Sequence, residues 1–184
     1  MASYPPPGLK RILIEADELA GRVRDLGRQL SHDYAGREPV LIGVLNGAVV
    51  FLADLMRAMD VPVRCDFIGV SSYGHTSRSS GIVKITTDLG SSIEGRDVLV
   101  VEDIIDTGRT ISYLRRNLET RHPKSLRICT LLDKIERREV AVELDYVGFT
   151  IPNEFVVGYG LDHGGFYRNL PYLAALEVAG ASPG

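Results

Sequence analysis

Val100-Val101-Glu102-Asp103-Ile104-Ile105-Asp106-Thr107-Gly108-Arg109-Thr110 is the stretch on which the reading of this 184-residue chain turns. It follows an apolar, β-branched run and opens a pattern of helical length that ends near Leu118, so DVLVVED (97–103) reads as a buried strand leading through a turn into a helix. In open parallel sheets ligands bind outside the carboxyl ends of the strands, which is where these residues fall. Glu102 and Asp103 repel each other unless a cation or hydroxyl donors satisfy them, a need that Mg²⁺ and sugar hydroxyls meet. Thr107, Gly108 and Thr110 open the helix. Free backbone N–H groups and the helix dipole there attract an anion, and glycine lets the chain approach it closely. Any one of these acids alone reads as a strand-end or capping residue. Together they read as a site for a phosphorylated sugar. The tripeptide Asp106-Thr107-Gly108 occurs once and leads into a helix, unlike the paired carboxylates of aspartic proteases, and the GxxxxGK[S/T] phosphate loop is absent.

The flanking sequence repeats the strand and helix alternation. PVLIGVL (39–45) is a short buried strand followed by GAVVFLADLMRAM (47–59), of helical length; VPVRCDFIGVSSYG (61–74) and SLRICTLLD (125–133) are further strands. From Glu15 to about Tyr34 the positions Leu19, Val23, Leu26 and Leu30 form an amphipathic helix with acids in its first turn. Such alternation predicts an α/β fold with a mostly parallel central sheet and right-handed crossovers. SSYGHTSRSSG (71–81) reads as a long loop. The short strand signals VGFTI, EFVVGY and LAALEVA in the tail suggest a small lobe over one end of the sheet. Residues 1–8 read as a flexible arm and 9–184 as a single domain, with no repeat or linker that justifies a cut.

Composition narrows the function classes. Hydrophobic residues at 45% and charged residues at 24% suit a globular domain and argue against disorder or a coiled coil. A net charge of −3 offers no basic face for general nucleic-acid binding. No stretch reaches membrane-spanning length, the start is proline-rich rather than an export signal, and Cys65 and Cys129 read as reduced strand thiols, all of which fit the cytoplasm. The four histidines have no ligand spacing.

VVEDIIDTGRT resembles the phosphoribosyl-pyrophosphate motif of the purine phosphoribosyltransferases, and the chain from about residue 9 to 178 is most similar to the hypoxanthine-guanine phosphoribosyltransferases. The resemblance implies the type I phosphoribosyltransferase fold, with a small hood formed by the N-terminal segment and about 150–184. It also implies purine salvage: transfer of phosphoribosyl from phosphoribosyl pyrophosphate to hypoxanthine and guanine, with Mg²⁺ as cofactor and a homodimer or homotetramer as the assembly. A xanthine or other 6-oxopurine transferase, or a phosphoribosyl-pyrophosphate-sensing regulator of nucleic acid, is the rival reading; the acidic balance gives the regulator little support.

Individual residues take their expected roles from the same resemblance. Glu102 and Asp103 hold the ribose hydroxyls and metal, Asp106 is the general base, and Asp106, Thr107, Gly108, Arg109 and Thr110 surround the 5′-phosphate. Leu45, Asn46 and Gly47, by pattern equally a plain tight turn, match the pyrophosphate loop and imply a cis peptide between Leu45 and Asn46, with Asn46 where relatives often carry Lys. Ser72 and Tyr73, which alone read as a solvated loop, match the lid. Lys134 would bind a 6-oxo group and reject a 6-amino group, since an ammonium only donates, although by itself it reads as a surface lysine. Phe155, a core-strand residue by pattern, matches the residue stacked on the purine, and the Val156 backbone the group reading its edge. Asp162, otherwise a turn aspartate, matches a second metal-side carboxylate, and Arg168, otherwise a salt-bridge residue, a pyrophosphate arginine.

Overall fold

The structure is a computed structural model and describes residues 8–72 and 83–177. In chain order it runs β1 (Leu9–Ile14), α1 (Ala16–Asp33), β2 (Val40–Leu45), α2 (Val49–Arg57), β3 (Arg64–Ser72), β4 (Val83–Thr87), β5 (Asp97–Ile105), α3 (Arg109–Glu119), β6 (Ser125–Asp133), a 3₁₀ turn (Ile135–Arg137), β7 (Tyr146–Thr150), β8 (Val156–Val157) and β9 (Leu173–Leu176). A six-stranded sheet has the order β4-β3-β2-β5-β6-β7, parallel except where β4 runs antiparallel to β3.

The unbroken apolar run of β5 has a simple cause: the sheet is covered on both faces, and side chains alternate between them. Leu99 and Val101 pack with the buried stripe of α1 (Leu19, Val23, Leu26, Leu30) and with Phe51, Leu52 and Leu55 of α2. Val98 and Val100 pack with Ile111, Leu114 and Leu118 of α3. Each fully buried aliphatic side chain of this kind contributes about 1.5–3 kcal/mol. β5 is therefore anchored by two cores at once, and its carboxyl end is a rigid platform.

Three details differ from the expectation. β5 runs two residues further than 97–103, because Ile104 and Ile105 continue the ladder with Leu132 and Asp133 of β6, so Glu102 and Asp103 lie within the strand and the turn begins after them. VGFTI does not join the tail lobe: β7 completes the large sheet, parallel to β6, and supplies the hydrogen-bond partners that edge would otherwise lack. β1, whose LKRILI carries too much charge to stand out, pairs antiparallel with β9, and β9 with β8, so a separate three-stranded sheet draws on both ends of the chain. The arm expected over 1–8 lies outside the described residues except for Gly8, whose carbonyl accepts Glu177 N–H at 2.9 Å. Among the described residues no helix is long and apolar enough to cross a membrane.

Candidate functional site

The carboxyl end of β5 carries two acids that burial has deprived of solvent. Glu102 is 8% exposed, and its Oε2 has no hydrogen-bond partner among the described residues. Burial first, and the neighbouring Asp103 charge second, hold its carboxyl well above the usual carboxylate range. Asp103 is pushed up to about 6, again chiefly by burial; the N–H of Ile104, donating at 2.8 Å, and the guanidinium of Arg168 pull it down, while Asp162 pushes it up. Four charged groups, Glu102, Asp103, Asp162 and Arg168, therefore share one field.

Contact with the turn after β2 is direct. Any side chain at Gly47 would collide with Asp103: an added Cβ would stand 1.6 Å from Asp103 Oδ2. The Leu45–Asn46 peptide is cis, as the resemblance implied, and the Asn46 side chain is exposed. A third segment closes on the same point, since an added Cβ at Gly160 would lie 2.2 Å from the Gly47 carbonyl oxygen. That segment is braced internally. Arg168 Nη2 pairs with Asp162 Oδ1 at 2.6 Å, Arg168 Nη1 donates to Gly160 O at 2.6 Å, and Asp162 Oδ2 accepts Gly165 N–H at 2.8 Å.

Beyond β5 the chain turns through Asp106, Thr107 and Gly108 into α3. Gly108 has φ +83°, and a Cβ there would stand 2.5 Å from Val140 O, so both conformation and space require glycine. The segment after β6 backs this turn: Glu139 and Val140 N–H both donate to Thr107 O at 3.0 Å, Arg138 Nε donates to Asp106 O at 3.3 Å, and Lys134 N–H donates to Ile105 O at 3.0 Å. The N-cap of α3 is Gly108, which has no side chain to offer, and only a long 3.4 Å hydrogen bond runs from Arg109 N–H to Thr107 Oγ1. Arg109, expected at the phosphate, pairs through its side chain with Glu139 at 2.6 Å; a helical side chain leans back over the turn before it, which is where Glu139 stands.

Lys134 is buried, and burial lowers its pKa; Asp106 raises it and Arg137 lowers it, which identifies its two charged neighbours. Arg137 Nε lies 3.3 Å from Asp106 Oδ1, close enough to attract but not aligned to donate, so this enclosed oxygen accepts no hydrogen bond among the described residues. Phe155 is 44% exposed, and Val156 is buried in β8. The Phe155 and His163 rings are 5.2 Å apart at 83°. Of the expected lid, Ser72 ends β3 and Tyr73 lies outside the described residues.

The structure thus gathers Gly47, Glu102, Asp103, Asp162 and Arg168 at one end of the sheet, and Asp106 and Lys134 beside one another. Among the described residues no three His, Cys, Asp or Glu side chains converge as a metal cage. Glu102 and Asp103 still fit a hard cation such as Mg²⁺ in donor chemistry, because among the described residues the pair has an unpartnered carboxyl oxygen to offer. Arg137, Gly160 and His163 were not singled out from the sequence. Arg137 stands beside Lys134 and could have been found from that adjacency; Gly160 and His163 give no signal, because their contacts depend on how the tail folds back.

The chain matches the model of the phosphoribosyl transferase domain over residues 13–163. It is 49% identical over 182 residues to the hypoxanthine-guanine phosphoribosyltransferase of Mycobacterium avium, covering 96% of this chain and 90% of that protein. It is 54% identical over 169 residues to the bifunctional protein TilS/HprT of Listeria innocua, covering 92% of this chain but 26% of that protein, so the chain spans about a quarter of the bifunctional relative's length. A solved structure of a hypoxanthine phosphoribosyltransferase from Staphylococcus aureus superposes with a TM-score of 0.88 at 46% identity, covering 92% of each chain. The architecture is accordingly the type I phosphoribosyltransferase fold, and the chain belongs to the phosphoribosyltransferase family, on its hypoxanthine-guanine branch.

Proposed function

We propose that the protein is a purine salvage enzyme that transfers phosphoribosyl from phosphoribosyl pyrophosphate to hypoxanthine and guanine, releasing pyrophosphate. The observation that carries the reading is the buried pair at the end of β5: Glu102, with an oxygen unpartnered among the described residues, and Asp103, seated on Gly47. Buried acids without partners are costly unless a ligand satisfies them, and ribose hydroxyls donate to such acids. Glu102 and Asp103, with Asp162 near them, would hold Mg²⁺, which would supply charge neutralisation for the leaving diphosphate.

The protein's own part is to position and to move one proton. Thr107, Gly108, Thr110 and the start of α3 offer amides and hydroxyls to the 5′-phosphate. The turn at Leu45, Asn46 and Gly47, with Arg168, faces the pyrophosphate. Lys134 donates to the 6-oxo group, Phe155 stacks on the purine, and the Val156 backbone reads its edge. At the anomeric carbon the bond to pyrophosphate breaks with its electron pair, and a purine imidazole nitrogen forms the new bond. Asp106, with an oxygen free of hydrogen bonds among the described residues, accepts the proton from the other imidazole nitrogen. Ser72 and Tyr73 belong to a lid that excludes water from the cation-like sugar.

Residues 9–184 act as one domain, with the β1-β9-β8 sheet as its hood. Free Cys65 and Cys129 support a reducing cytoplasm, and exposed Val49 and Phe67 supply apolar surface for a homodimer or homotetramer. The test is a base panel, following pyrophosphate release from phosphoribosyl pyrophosphate and Mg²⁺ with hypoxanthine, guanine, xanthine, adenine or uracil. Turnover with hypoxanthine and guanine and none with adenine is expected; release with no base, or with adenine alone, would refute the reading.

A further inference from the structure

We propose that His163 is a positioning residue for the purine base, acting through Phe155 and tying the base shelf to the diphosphate end of the site; the proposal rests on the function above. Phe155 is 44% exposed although its backbone is fixed: its carbonyl accepts Leu176 N–H at 2.8 Å, and the next residue enters β8. The side chain of such a residue turns about two bonds unless something holds it. Its one aromatic partner among the described residues is His163, with centroids 5.2 Å apart and planes at 83°, a geometry in which the positive edge of one ring meets the negative face of the other. Either rotation of the Phe155 ring away from its present plane breaks that contact.

His163 is itself held from the other side. Its N–H and carbonyl exchange two 3.2 Å hydrogen bonds with Phe166, closing a tight turn whose Gly165 N–H caps Asp162 at 2.8 Å. Asp162 is paired to Arg168, Arg168 to Gly160 O, and Gly160 abuts Gly47. A rigid chain of contacts therefore runs from the Gly47 turn to the ring that would lie against the base. Asp162 and His163 are adjacent, so the residue facing the buried acids and the residue setting the aromatic plane move as one unit. The stacking surface is pre-set before the base arrives, and the ordering cost of Phe155 is met in folding instead of in binding.

The experiment compares wild type, His163→Ala and His163→Phe in steady-state transfer, varying hypoxanthine and phosphoribosyl pyrophosphate separately. His163→Ala should raise KM for hypoxanthine by roughly 2- to 10-fold, the range an aromatic pair is worth. Its kcat and its KM for phosphoribosyl pyrophosphate should stay within about 2-fold, as expected when only ground-state positioning of one substrate is lost. His163→Phe, which keeps a ring, should recover most of the loss. An unchanged KM for hypoxanthine, an equal rise in both KM values, or a Phe variant no better than Ala overturns the role; the equal rise is what a merely loosened fold would produce. If wild type itself fails to turn over any 6-oxopurine, the proposed function falls and takes this inference with it. Wild-type turnover with an unaffected Ala variant sinks the inference alone.

Discussion

Asp106 has two cations for neighbours, and among the described residues its Oδ1 accepts a hydrogen bond from neither: Arg137 attracts it from 3.3 Å without donating, and Lys134 senses its charge from a buried position. A carboxylate in that state keeps a lone pair for a proton arriving from a ligand. Replacing it with Asn preserves shape and removes basicity, so Asp106→Asn should bind both substrates but lose about 10²- to 10⁴-fold in kcat, measured by single-turnover product formation alongside substrate titration. Lys134 tests the other half of the base site. Its side chain is buried with Asp106 and Arg137 as charged neighbours, and Lys134→Gln should weaken hypoxanthine far more than phosphoribosyl pyrophosphate, read as separate affinities by calorimetry; an equal loss of both would indicate damage to the fold. Asp106 could be picked out from its place in a nine-residue string. Its pairing with Arg137 could not be read, because the two are 31 positions apart and Arg137 reaches Asp106 only after β6 has been laid beside β5.

At the scale of elements, the turn from β5 into α3 is shaped from behind by the stretch after β6. Thr107 O takes two backbone hydrogen bonds from residues 139 and 140, and Gly108 touches Val140 O where a side chain would overlap it. Gly108→Ala must accept both a left-handed backbone and a collision with main-chain atoms. The variant should lose about 1–3 kcal/mol in a urea titration and bind phosphoribosyl pyrophosphate more weakly, because the amides that open α3 would be displaced. The strands and helices themselves were legible wherever the hydrophobic period was clean: α1 has its four expected buried residues, and β6 spans residues 125–133 as read. Legibility failed at short elements. β1 and β4 are six and five residues long and mix Lys, Arg or Thr with their apolar residues, so nothing local marks them as strands until a partner strand supplies the hydrogen bonds.

For the whole molecule, two cores lie on the two faces of the large sheet, and β5 contributes to both. Leu99 lies wholly buried in the core beneath α1 and α2, and Val98 and Val100 in the core beneath α3. Leu99→Ala should cost about 2–5 kcal/mol in a denaturant titration. The loss should appear as a lower midpoint with the slope retained, since no other surface is exposed. The sequence by itself determined the α/β class, the strand-turn-helix at 97–118 and the acids along it, because hydrophobic period and turn chemistry are local properties. Only the tertiary structure decided that β7 belongs to the large sheet, that the chain's two ends share a second one, that Gly160 abuts Gly47, that Arg168 acts on Asp103 and that His163 meets Phe155. Those are pairings between segments tens of residues apart, and they depend on which edge is left unpaired and which backbone can come close, quantities that exist only once the chain has packed.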